Sequence, residues 1–195
     1  MINGDDIVFV DPLTIMLVAV AASASLIAVY FVKAAKGKRV DNLIVPGFVM
    51  GFFDFISGFF MSFLWPFPGA LSAYNMLFGD PMLFLGLIMM SAAVMYYKKM
   101  DIKILSMFGL FIGIYMLVET YAIAALSLEK GIDFLPSFGF YLFSSLAAIF
   151  SPLVYVNSKE NKYAYYFLAC LFIIAALLAL FIGANGIYEH LASPP

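Results

Sequence analysis

Residues 163–187 read YAYYFLACLFIIAALLALFIGANGI, twenty-five positions without an Asp, Glu, Lys, Arg or His. Bilayer hydrocarbon about 30 Å thick takes roughly 20 apolar residues as an α-helix, so this stretch is long enough to cross. Residues 13–32, LTIMLVAVAASASLIAVYFV, repeat the pattern near the other end of the chain. Between them, 43–64, 81–97, 104–126 and 134–156 meet or approach the same length. The shortest, 81–97, has a marked start, with Asp80 placed to cap a helix and Pro81 suited to its first turn. The expectation is an all-α membrane protein: one transmembrane domain over 1–195, a bundle of six helices.

Composition agrees. The 195 residues are 65% hydrophobic and 11% charged, against about 45–50% and 25% in soluble domains, and the mean hydropathy is +1.05. No polar stretch is long enough for a separate aqueous domain, and no basic tract is long enough for nucleic acid. Cys170, the single cysteine, stands in an apolar run and has no intrachain partner for a disulfide. Residues 1–11 carry Asp5, Asp6 and Asp11 but no Lys or Arg. A signal peptide needs a positive region before its apolar stretch, so 13–32 reads as an uncleaved first span.

The direction of the spans follows from the basic residues of the short loops. Lys33, Lys36, Lys38, Arg39, Lys98, Lys99, Lys103, Lys159 and Lys162 fall on one side, and Lys130 alone on the other. Nine against one places the basic loops in the cytoplasm and both termini outside, in the cell membrane. The outer side is acidic, with Asp80, Glu129, Asp133 and Glu189 beside the N-terminal aspartates.

One outer segment breaks the pattern of polar loops. Residues 65–80, WPFPGALSAYNMLFGD, hold one charge and several large apolar side chains. Pro66, Pro68 and Gly69 forbid a plain helical continuation. Non-helical backbone at membrane depth is tolerated against protein or along a cavity, so the segment is expected to fold back as an outer plug. The alternative is an interfacial stretch in which Trp65 and Tyr74 sit at headgroup level.

Two carboxyls fall inside spans. Asp54 is near the middle of its helix and Glu119 in the outer half of the fourth. A charged Asp at the centre costs roughly 2.5–3.5 kcal/mol on insertion scales, and no Lys or Arg lies deep in a span. Each carboxyl must face water, accept hydrogen bonds or hold a proton. Gly47, Gly51, Asp54 and Gly58 share one helical face, and Gly109 and Gly113 form a second small-residue pair. Such faces pack helices closely, and a seam beside a carboxyl can equally be a pore wall. Ser151-Pro152 predicts a kink in the fifth span.

Enzyme chemistry is mostly missing. There is no HExxH, no Gly-rich phosphate loop and no Cys or His cluster, and His190 is the one histidine. No metal, cofactor or catalytic residue is expected.

The residues Pro66-Phe-Pro-Gly and Tyr74-Asn75-Met-Leu-Phe78-Gly79-Asp80-Pro81 resemble the signature of an uncharacterised archaeal family of integral membrane proteins, a domain of unknown function. The stretch Phe78-Gly79-Asp80-Pro81 is more remotely similar to the opening of the third helix in the proton-gated urea/amide channels. That resemblance implies six helices, termini outside, and a ring-shaped homo-oligomer with a solute path through each protomer. Those channels use several tryptophans and outer histidines, where this chain has Trp65 and His190. Tyr96-Tyr97-Lys98-Lys99 is similar to the acetate/succinate transporter family, whose Asn-Pro-Ala-Pro-Leu-Gly motif is replaced here by Val45-Pro46-Gly47.

Two functions compete, with a membrane enzyme a distant third. The first is a channel or permease for a small neutral, amide-like solute or a weak acid, open to pH control. Its pore or gate candidates are Asp54, Glu119, Tyr115, Trp65, Tyr74, Asn75 and Phe78. Selectivity in such a path comes from diameter, lining donors and acceptors, and electrostatic barriers. The second is a non-catalytic accessory subunit of a larger membrane complex, docking through its Gly and Ala faces.

Overall fold

The computed structural model describes residues 12–155 and 161–192, and every regular element among them is helical. The long helices are α1 (Pro12–Ala35), α2 (Ile44–Leu64), α3 (Ala73–Tyr97), α4 (Leu105–Ala125), α5 (Phe134–Phe150) and α6 (Lys162–Ala192). All six segments are long and apolar enough to cross a membrane. Asp5, Asp6, Asp11, Lys159 and the end of the fifth expected span at 156 lie outside the described residues.

The third helix corrects the expected boundary. It begins at Ala73, so Asp80 is not a cap and Pro81 stands inside the helix. Only 65–72 of the outer segment is loop, with a 3₁₀ turn at Gly69–Leu71. Trp65 ends α2 in the left-handed region, at φ 49°. Pro66 follows at once, and a residue before proline is disfavoured in the right-handed helical region. In α5 the α-helix stops at Phe150 and tightens to 3₁₀ over Ser151–Tyr155, where Pro152 removes a backbone donor. Seventeen α-helical residues reach only about 25 Å at 1.5 Å each, and the 3₁₀ turn extends the segment toward membrane-spanning length.

Glycine sets the closest pairings. A Cβ on Gly58 would stand 2.2 Å from the Leu83 nitrogen, and one on Gly86 2.3 Å from the Phe55 nitrogen. Backbone therefore touches backbone along α2 and α3, where Gly51 and Gly58 mesh with Gly79 and Gly86. The spacing of seven in each helix keeps both pairs on one face over two turns. Gly113 gives the same intimacy to α4 and α5, its Cβ position lying 2.6 Å from the Ile149 nitrogen, while Gly109 faces the Ser151 hydroxyl. The α1/α6 pair is built on alanines, with Gly183 against Leu17 and Gly186 against Thr14. Gly47 departs from the expected packing role: nothing lies within 4 Å of its Cβ position.

Each helix touches the next in chain order, and α6 returns to α1, so the six close a ring. Its seams are unequal. The pairs α2/α3, α1/α6 and α4/α5 are tight, and α3/α4 is the thinnest.

Candidate solute cavity and its carboxyl cluster

Inside the ring lies a cavity of about 280 Å³. Its walls are Val20, Ala24 and Ile27 of α1, Leu85 and Met89 of α3, Ile112 of α4, Ala148 of α5 and their neighbours. They are almost wholly apolar. The cavity runs from Leu77, Met116, Phe140 and Tyr141, near the acidic end of the bundle, to Val40, Ile102 and Lys103 at the basic end. The four residues at its acidic end belong to the largest buried cluster, packed beneath Tyr74, Phe78, Leu128 and Phe134. That end is closed by side chains.

Pro81 explains one part of the closure. Having no N–H, it leaves the Leu77 carbonyl, four residues back, without its helical donor. Unsatisfied backbone is costly in a bilayer, and the Tyr141 hydroxyl from α5 donates to this carbonyl. Tyr141 is buried, and Pro81 lines the same cavity. A helix defect and a tyrosine on a distant helix thus make one contact at the cavity's acidic end.

Carboxyls gather beyond it. Asp80, half-buried, accepts from the Ser62 hydroxyl of α2 at 2.5 Å and from the Tyr115 hydroxyl of α4 at 2.5 Å. Together these two bonds tie α2, α3 and α4 across the thinnest seam. Glu119, one turn beyond Tyr115, lies within electrostatic reach of Asp80 and Tyr141. It is 7% exposed, and neither of its oxygens has a hydrogen-bond partner. In the loop above, burial pushes the Glu129 carboxyl up; the Tyr74 hydroxyl opposes that shift and Asp133 adds to it.

Asp54 sits apart from this group. It is fully buried, accepts from the Ser23 hydroxyl of α1 at 2.5 Å, and leaves Oδ1 without a partner. This bond joins α1 to α2, a looser seam of the ring than α2/α3.

The structure brings Tyr115 and Glu119 together and adds Asp80, which was no pore or gate candidate in the sequence. Of the seven pore or gate candidates, Phe78 is the one that lines the cavity. Asn75 departs from the expected lining role. Its amide donates to the carbonyls of Phe67 (2.7 Å) and Ser72 (3.1 Å), and its Oδ1 accepts from the Phe67 N–H. Both amide hydrogens and the carbonyl oxygen serve the preceding loop. Trp65 is 45% exposed, and Tyr74 donates to the Leu128 carbonyl at 3.5 Å. Sequence reasoning also gave no packing or bonding role to Tyr141, Ser23, Gly79 and Gly86. The glycines were legible, since their spacing of seven matches that of Gly51 and Gly58.

A model of one protein family, described as a protein of unknown function (DUF981), matches residues 7–193. No curated protein and no solved structure matches the chain.

Proposed function

The chain belongs to the DUF981 family, whose description names no activity, and from that premise we propose, on the geometry of the site, a permease for a small solute. The supporting observation is the cavity within a ring of six membrane-length helices, with the packed cluster that holds Tyr141 and Leu77 at one end. With the basic end in the cytoplasm, this is an inward-facing arrangement with its outer gate closed. Glu119, buried and unpaired just beyond the gate, is the group through which pH acts on opening. Protonated, it sits there without charge. Ionised, it brings negative charge beside Asp80 and drives α4 from α3 at the thin seam.

Flux into liposomes carrying the purified protein tests this reading, with a panel of small amides and weak acids outside. Solute uptake above protein-free vesicles is expected, with a pH dependence that Glu119→Gln flattens. Uptake equal to that of empty vesicles for every solute removes the permease.

One observation favours the accessory-subunit reading. The outer face of α2 exposes Phe48, Phe52, Phe59, Phe60 and Phe63, the last at 64%, a surface that suits another helix as well as lipid. A homo-oligomer on purification goes with the permease, and co-purifying large subunits go with the accessory role.

A further inference from the structure

The polarity of the cavity, resting on the permease reading, narrows the class of solute. A small amide inside it would leave most of its donors and acceptors without partners, which is unfavourable in apolar surroundings. The volume also exceeds what such a molecule needs. An apolar void of roughly 150 Å³ accommodates benzene, and this one measures about 280 Å³. It suits an apolar body of on the order of ten carbons.

The ends of the cavity differ in sign. At the acidic end the Tyr141 hydroxyl is committed to Leu77, so that end offers a carboxylate no free donor. At the basic end the wall includes Lys103 and, three residues on, Ser106. The Ser106 hydroxyl is buried with no hydrogen-bond partner. The neighbouring Ser151 hydroxyl is already spent on the Ser106 and Ala148 carbonyls. Lys103 forms no ion pair among the described residues, where the one salt bridge joins Arg39 and Asp41. A carboxylate has two acceptor oxygens and no donor, which is the complement of one free hydroxyl and one free ammonium.

We propose that the cavity binds a free monocarboxylic acid with an apolar body, its carboxylate on Lys103, with the buried Ser106 hydroxyl turning to it by a change of rotamer, and its body reaching toward Tyr141. The same head chemistry occurs in anionic lipids, so the test separates the two sources. Full-length protein in phosphatidylcholine nanodiscs is titrated calorimetrically with octanoate, octanamide and acetate, against empty nanodiscs. Octanoate is expected to bind about tenfold tighter than either of the others, a charge-assisted contact and an apolar body each contributing. Lys103→Gln, at the rim where folding is not at stake, should weaken octanoate about fivefold and leave octanamide unchanged. Leu85→Trp, filling the cavity, should abolish octanoate binding.

Equal affinity for octanoate and octanamide overturns the proposal, as does a Lys103→Gln variant indistinguishable from the parent. Loss of octanoate binding on adding phosphatidylglycerol to the nanodisc assigns the site to a lipid headgroup and overturns it too. A protein that conducts acetamide yet ignores octanoate keeps the permease and loses this site. One that binds octanoate but moves no solute keeps the site and loses the permease.

Discussion

Pro81 removes a hydrogen bond from α3 and Tyr141 supplies a substitute, so the two residues are coupled through one carbonyl. Tyr141→Phe leaves the Leu77 carbonyl buried and unpaired, at a cost of about 1–3 kcal/mol. Pro81→Ala restores the helical N–H. In the Pro81→Ala background, Tyr141→Phe should therefore cost much less than it does alone, a coupling of about 1 kcal/mol or more. Thermal or denaturant unfolding in detergent reads all four corners of the cycle, and strict additivity would show that Tyr141 does not serve this carbonyl. Asp80→Asn keeps the shape but replaces one of the two accepting oxygens with an amide donor, so the bond from Ser62 or from Tyr115 loses its acceptor. It is expected to destabilise by about 1–2 kcal/mol and to alter flux, both measurable on one preparation. The carboxyls Asp54 and Glu119 were legible because any acid in an apolar run stands out. Tyr141 was not, because its role depends on a proline two helices away, and the partner of a backbone carbonyl carries no mark in local sequence.

At the scale of helices, two glycines of α2 make a controlled comparison. Gly58→Ala drives a methyl group into the Leu83 backbone, where only a shift of a whole helix makes room. Overpacking of that kind costs about 1–3 kcal/mol, and the melting temperature should fall. Gly47→Ala meets nothing within 4 Å and replaces a poor helix former with the best one, so its melting temperature should hold or rise slightly. A drop of equal size in both would mean that α2 and α3 do not mesh as described. The boundaries of these helices show where sequence reading stopped. Asp80-Pro81 has the look of a helix start, and locally that is what those residues favour. Ala73 starts the helix instead because Asn75 satisfies the preceding loop and Tyr141 repairs the proline. Both repairs are made by side chains distant from the apparent cap.

For the molecule as a whole, number and placement of spans were legible because bilayer thickness sets helix length directly. The ring was not, since hydropathy ranks segments without saying which of them touch. The nine-to-one split of basic residues predicts the orientation. In a Cys170→Ala background, single cysteines at Lys38 and Lys99 should resist a membrane-impermeant maleimide in intact cells, and cysteines at Glu129 and Glu189 should react. Labelling of the Glu189 position only after the cells are opened would invert the reading. The α1/α6 seam bears on how the protein is made. Because Gly183 closes on Leu17, the face of α1 that α6 covers has no partner until synthesis has passed the last helix. Adjacent hairpins such as α2/α3 assemble as they emerge, while this closure spans almost the entire chain, the kind of long-range contact that forms late. Ribosome-bound chains lacking α6 would accordingly carry a gapped ring, with the alanine stripe of α1 turned to lipid, and that interval is when a membrane chaperone or a quality-control protease has its opening.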